Sequence, residues 1–318
     1  MPNKNKPLPV LTPASTHKPM LPNKQAPRAG KLGSRLFDAI THAWLLLVLV
    51  ATIYPFLHVA SVSISEANAV IEKRVTFFPI GFDMTAYQAV LENSFLWTAY
   101  GNTLQYTIIG TAVNLVLTTL MAYALSKRTL YGRSFFTVLV VFTMFFHGGI
   151  IPNYLIVREL GLINTMWAVI LPIAVSTWNL MIMRTFFQAF PSELEEAAIV
   201  DGCNPLQVLI RIVVPLSKPI LLTIMLFYAV WHWNSYFLPL VYLNEKVKYP
   251  LQILLQQILI SDDTSFAEAT AGIDPSKLII SDSVKYATIV VAIAPIVMVY
   301  PFIQKYFVKG AMMGSIKG

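Results

Sequence analysis

The chain has 318 residues, 56% of them hydrophobic and 12% charged, with a mean hydropathy of +0.63. A soluble domain carries roughly a quarter charged residues, so the composition excludes an ordinary water-soluble globule and indicates a membrane protein. A single cysteine, Cys203, excludes an internal disulfide and a cysteine metal cluster, and the meaning of the +7 net charge depends on where the charges sit.

Residues 1–38 are rich in Pro, Lys and Asn without apolar periodicity and are expected to form a disordered basic cytoplasmic tail. Residues 39–318 are expected to form the transmembrane domain. A cleaved signal peptide, processed near "HVASVSIS", is the competing reading. The long tail and an apolar run of about 22 residues favour an uncleaved signal anchor.

Crossing about 30 Å of hydrocarbon as a helix takes about 20 apolar residues. Six segments qualify: 43–64, 100–125, 135–157, 167–183, 220–243 and 286–307. The expected fold is therefore all-α and polytopic, with six transmembrane helices. In the third, "FFHGGIIPNYL" places Gly148, Gly149 and Pro152 where either a kink at the outer surface or a broken helix would fit. The fourth contains Pro172, which neighbouring helices can accommodate.

An even number of spans puts both termini on one side. That side carries 16 of the 23 Lys and Arg and 5 of the 16 Asp and Glu, so the positive-inside rule makes it the cytoplasm. The basic surplus is then a topology signal with contact to anionic lipid. Nucleic-acid binding is not expected, because no nucleic-acid-binding motif accompanies the charge.

The cytoplasmic loop at about 190–219 is acidic, broken and amphipathic. Ser192 and Glu195 have capping-box spacing, and Glu193, Glu195 and Glu196 suit a helix start. Gly202 can end that helix in the left-handed conformation. Asn204 and Pro205 can start a second one running towards Val214, and Pro215 and Pro219 redirect the chain. The result is a helix-turn-helix. Its apolar residues fit either a lid on the lipid interface or a docking surface for a cytoplasmic partner.

No Asp, Glu, Lys or Arg lies centrally in any apolar run, which argues against a proton- or sodium-coupled carrier. The histidines lack metal-ligand spacing, so no metal is expected. No P-loop or nucleophile elbow occurs, and no cofactor is expected. "WHWNSYF" begins about 12 residues into the fifth segment, or about 17 Å deep. It fits an outer aromatic belt or a sugar path using Tyr228, Trp231, Asn234 and Tyr236, with Asn234 foremost. Asn179 in the fourth segment has a similar claim. The long extracytoplasmic loop 244–282 includes "YPLQILLQQILI", a candidate receptor-docking or gating helix.

"EAAIVDGCNPLQVLIRIVVP" resembles the cytoplasmic loop signature of bacterial ABC-transporter permeases, E-A-A-x3-G-x9-I-x-L-P. Glu196, Ala197, Ala198, Gly202, Ile212 and Pro215 fall in register, with Val214 in place of leucine. "GLINTMWAVILP", "WHWNSYFLPL" and the terminal "KYFVKGAMMGSIKG" are similar to the maltose-type, carbohydrate-uptake subgroup. The resemblance covers about residues 43–318.

The resemblance implies a permease subunit of an ATP-driven importer in the bacterial cytoplasmic membrane. Its partners would be an ABC ATPase dimer, a second and different permease subunit, and an extracytoplasmic solute-binding protein. The loop would form the coupling helices, with Glu196 in polar contact with the ATPase, Asp201 beside it, Ala197 and Ala198 permitting close approach and Gly202 the bend. The basic C-terminal tail is a cytoplasmic flank or an ATPase contact. The cargo would be a sugar or oligosaccharide. A peptide or other small solute is the alternative, then an ATP-independent carrier, and a membrane-embedded enzyme last.

Overall fold

The computed structural model describes residues 31–260, 283–298 and 301. Among these there is no strand, and helices account for the secondary structure. Two units divide the chain, Met1–Ile53 and Tyr54–Gly318. Helix α1 (Lys31–Ser63) starts in the first unit and ends in the second; it begins inside the segment expected to be unstructured and ahead of the expected span start. From Leu36 to Leu57 it presents its apolar side chains outward. The rest of the expected tail, 1–30, lies outside the described residues.

The second unit is organised on one long helix. After α2 (Ala67–Ile71) and α3 (Thr85–Glu92) comes α4 (Ser94–Ser126), started by Asn93, whose side chain accepts from the N–H groups of Phe95 and Leu96. The buried face of α4 includes Thr103, Tyr106, Gly110, Asn114, Thr118 and Ala122, spaced three or four apart. Small and polar residues at this spacing let helices approach closely in a membrane and hydrogen-bond across the gap. The closest approach is at Gly110, where an added β-carbon would fall 2.4 Å from His232 Nε2.

The apolar segments that follow are broken. α5 (Arg133–Phe145) and α6 (Ile150–Glu159) meet at 116°, with Gly149 at φ +81°. α7 (Met166–Ile170) passes through a 3-10 turn at Pro172 and then bends 52° into α8 (Thr177–Gln188). After the loop helices α9 (Ser192–Val200), α10 (Pro205–Val208) and α11 (Val214–Leu216), the chain turns 86° into α12 (Lys218–Trp233). α12 stops at Asn234, inside the fifth expected span, and α13 (Phe237–Tyr242) follows.

Two described helices, α1 and α4, are long and apolar enough to cross a membrane unbroken, and three bent pairs qualify if each is one span. The sixth expected segment corresponds to α15 (Ser283–Met298) and then runs outside the described residues. The candidate docking or gating stretch of the extracytoplasmic loop forms α14 (Leu251–Ile260). Leu251, Ile253, Leu254 and Ile258 are all buried, and α14 packs with the start of α4 and with α15 in one core cluster. Seven apolar residues in ten positions suit that environment better than solvent.

Candidate functional site

The loop 191–219 is built from local signals. α9 ends in a Schellman motif: Gly202 N–H donates to Ile199 O at 3.0 Å and Cys203 N–H to Ala198 O at 2.9 Å. Gly202 takes φ +86°, where a β-carbon costs about 1–2 kcal/mol. Asn204 then caps α10 with a complete capping box. Its side chain accepts from Gln207 N–H, and Gln207 accepts from Asn204 N–H, both at 2.9 Å. Pro205 occupies the first turn of α10.

Two expectations about this loop are corrected. Ser192 and Glu195 form no capping box, and the residue before α9 is Pro191, without a side-chain cap. Glu195 is instead drawn to α4, where it pairs with Lys127 and accepts from Tyr123 OH at 3.4 Å. Lys127 lies 4.1 Å from the centre of the Tyr123 ring. At Lys127 both groups carry full charge, and this pair takes the place of the reciprocal bond to the backbone. The second helix is also not uniform, since residues 209–213 form a π-turn. Pro215 lacks the N–H that the carbonyl of Arg211 would take in an α-helix, and its ring crowds that carbonyl, so the turn before it widens.

Burial sorts the signature residues. Glu196, Ala197, Asp201, Gly202 and Pro215 are exposed, Ile212 is half-buried, and Ala198 is buried in a cluster with Met183, Phe187 and Val208. Ala198 therefore packs within the chain and is not on the outer face. That face carries exposed Leu194, Ile199, Val200, Leu206 and Ile210, with Glu193, Glu196 and Asp201 beside them. The loop is tied to the end of α4 through the Glu195–Lys127 pair. Arg133 and Arg184 each donate through Nε to Leu125 O at 3.1 Å, so two cations meet the carboxyl end of α4.

A cavity of about 900 Å³ opens between the breaks of α5–α6 and α7–α8, walled by α4 and α12. Of the five residues singled out in the sequence, Asn179, Tyr228 and Trp231 line it, whereas Asn234 and Tyr236 do not. Asn234 is exposed at the end of α12, with its amide donating to Val230 O at 2.8 Å in its own helix. The turn of helix that was expected to continue outward stops there, and the amide serves that end.

Tyr228 is joined in the cavity wall by residues that the sequence did not single out, Thr118, Ser176 and Asn114. Tyr228 OH meets Thr118 Oγ1 at 2.7 Å and accepts from Ser176 N–H at 3.0 Å, joining α12, α4 and the start of α8. Asn114 donates from Nδ2 to Ile173 O at 3.2 Å, satisfying a carbonyl freed by the break. Its Oδ1 is buried without a partner among the described residues. An unpaired buried acceptor costs about 1–3 kcal/mol. The available signal for Asn114 was an amide in the middle of an apolar run. No Asp, Glu, Lys or Arg is among the described residues lining the cavity, which are amides, hydroxyls, His147 and the aromatic rings of Phe146, Trp178, Phe227 and Trp231 with aliphatic neighbours.

Broken apolar helices around a cavity, with a rigid capped loop beneath them, define a membrane permease component. The family described as "Binding-protein-dependent transport system inner membrane component" matches residues 114–312, and the chain belongs to it. It is 43% identical to the polygalacturonan/rhamnogalacturonan transport system permease protein YtcP of Bacillus subtilis, over 90% of this chain and 99% of that one. It is 27% identical to the arabinooligosaccharides transport system permease protein AraQ of Halalkalibacterium halodurans, over 84% of this chain and 91% of the relative. Among solved structures, a bacterial ABC transporter involved in import of the acidic polysaccharide alginate has a chain 36% identical to this one. Their TM-score is 0.80, over 86% of this chain and 98% of that one.

Proposed function

We propose that this chain forms half of the translocation path of an ATP-driven sugar or oligosaccharide importer, and that an extracytoplasmic binding protein delivers the cargo. The loop 191–219 docks in a cleft of a separate ATP-hydrolysing subunit, and the chain itself hydrolyses nothing. A second, different permease completes the path. Six segments cross the bacterial membrane with both termini in the cytoplasm, the orientation favoured by the excess of Lys and Arg on that side.

The observation that carries this reading is the loop itself. A surface that transmits force must be rigid, and here a Schellman motif and a capping box fix the angle between two helices. The outer face combines apolar side chains with carboxylates, the composition of a docking patch with a polar margin. Glu196 and Asp201 supply the polar contact, while Asn179, Tyr228 and Trp231 lie on the sugar's way. Importer permeases for sugars among the relatives support the choice of cargo. A peptide would bring an ammonium into a cavity wall with no carboxylate among the described residues, at high desolvation cost.

The test is uptake into proteoliposomes holding the complete complex. Oligosaccharide uptake is expected to require ATP and the binding protein, and to stop when the ATPase subunit is inactivated. Uptake that persists without ATP hydrolysis would replace the importer with a carrier.

A further inference from the structure

Arg133, the first residue of α5, and Arg184 in α8 both donate through Nε to Leu125 O at 3.1 Å. They share a second acceptor as well. Oriented by its hydrogen bonds, the Gln188 amide accepts from Nη2 of Arg133 and, at 3.0 Å, from Nη2 of Arg184. Two oxygens thus each bridge both guanidiniums and hold them side by side. Among the described residues neither arginine makes an ion pair, and Glu195, which is tied to the same end of α4, is taken by Lys127. The carboxyl end of α4 offers about half a negative charge. That does not balance two cations.

The pair is half-buried rather than sealed. The Nη1 groups of both arginines have no acceptor among the described residues, so donors remain for a ligand. Two guanidiniums fixed side by side suit a phosphate, whose oxygens each fork can take in pairs. The surroundings indicate what carries that phosphate. α5 buries none of its residues, and Phe135, Phe136, Val138 and Leu139 are exposed next to Arg133. Both arginines lie in bent helix pairs that qualify as spans, Arg133 at the first residue of its pair and Arg184 in the last turns of its own. A cation pair at the membrane boundary, beside an open apolar face, matches a lipid with an anionic headgroup.

We propose that Arg133 and Arg184 bind the phosphate of an anionic membrane lipid, whose acyl chains lie along the exposed apolar side chains of α5. The site joins the end of α4, the start of α5 and the end of α8. Gln188 stands four residues before Ser192, where α9 opens. Bound lipid therefore braces the base from which the loop at 191–219 departs. The proposed topology assigns the lipid to the cytoplasmic leaflet, and nothing else here rests on the importer reading.

The experiment is native mass spectrometry of the complete transporter released from nanodiscs of equal parts phosphatidylglycerol and phosphatidylcholine. The native complex is expected to retain phosphatidylglycerol over phosphatidylcholine by about tenfold or more. Arg133→Gln with Arg184→Gln should abolish that preference. Arg133→Lys with Arg184→Lys should keep part of it, because the charge stays and the fork is lost. Arg128→Gln removes one charge from the exposed turn nearby and should change the preference by less than about twofold. Equal retention of the two lipids by the native complex overturns the proposal and leaves the pair to a carboxylate of a partner subunit. That comparison needs no variant, so it holds even where a variant fails to assemble. A loss in Arg128→Gln as large as in the double glutamine variant also overturns it, since diffuse charge would then suffice. Displacement of the lipid by millimolar inorganic phosphate would assign the arginines to free phosphate and overturn the lipid. Retention is read without transport, so its failure leaves the importer reading standing, and uptake without ATP hydrolysis leaves the lipid site standing.

Discussion

The loop at 191–219 and the wall of the cavity are both made of interrupted helices, yet different things hold the interruptions. In the loop the bonds that set the bend are local, and the Glu195–Lys127 pair only ties its first helix to α4. Gly202 and Cys203 bond back into the preceding turn, and Asn204 and Gln207 cap each other three residues apart. At the break before α8 the bonds come from far away: Asn114 is 59 residues from Ile173, and Tyr228 is 52 from Ser176. Local breaks keep their angle wherever the loop moves. The long-range breaks hold only while α4, α8 and α12 stay in register, so the cavity wall is the part whose shape can depend on the state of the bundle.

The largest test of the local half is Gly202→Asp. At φ +86° the new side chain is strained, and it adds charge beside the docking face. Uptake is expected to fall at least about tenfold, the factor that 1.4 kcal/mol of lost docking gives, while membrane insertion is unchanged. Gly202→Asn should lose less than Gly202→Val, because asparagine tolerates the left-handed region better. Normal uptake by Gly202→Asp at normal expression would show that the bend is not part of the coupling.

The long-range half is probed by Tyr228→Phe. The ring stays, but Thr118 loses its partner and Ser176 N–H is left unpaired at the break. A cost of about 1–3 kcal/mol is expected in thermal unfolding of the purified complex. If Tyr228→Phe melts like the native protein, the hydroxyl does not secure the break and the contrast between the two regions collapses.

The same contrast explains what could be read from the sequence. The length of apolar runs marked the segments that hold α1, α4, the bent pairs and α12, and capping preferences located the Gly202 bend and the Asn204 cap, because each depends on residues close together in the chain. Glu195 was misassigned since its spacing to Ser192 satisfies a local rule, while the winning partner, Lys127, lies 68 residues earlier. Asn234 was favoured on depth, and Asn114 was passed over. Depth does not say which amide meets a broken neighbouring helix. The break in the third segment was visible as a glycine pair, but its 116° turn was not, since the glycines permit many angles and the packing selects one.

A third latch separates distance along the chain from burial. Asn164, at φ +62°, donates from Nδ2 to Glu245 and accepts on Oδ1 from the N–H groups of Asn244 and Glu245, at 3.2 and 3.3 Å. Lys248 Nζ reaches both Asn164 O at 3.0 Å and Glu245 at 3.1 Å. These bonds join the turn after α6 to the turn after α13 across about 80 residues, but at the surface. The bond to Lys248, then the one to Asn164, hold the Glu245 carboxyl below its ordinary range. A lowered value in the folded state means the contribution is complete above the unfolded value, near 4.5, and disappears as pH falls through the folded one. Glu245→Gln should therefore differ from the native complex in melting temperature by a small, constant amount from neutral pH down to about 5, and the difference should vanish in more acidic solution. The effect is expected to be the smallest of the three, because solvent screens an exposed pair. Were Glu245→Gln to cost as much as Tyr228→Phe, span along the chain rather than burial would set the strength of these latches, and the cavity wall would have no special claim to sensitivity.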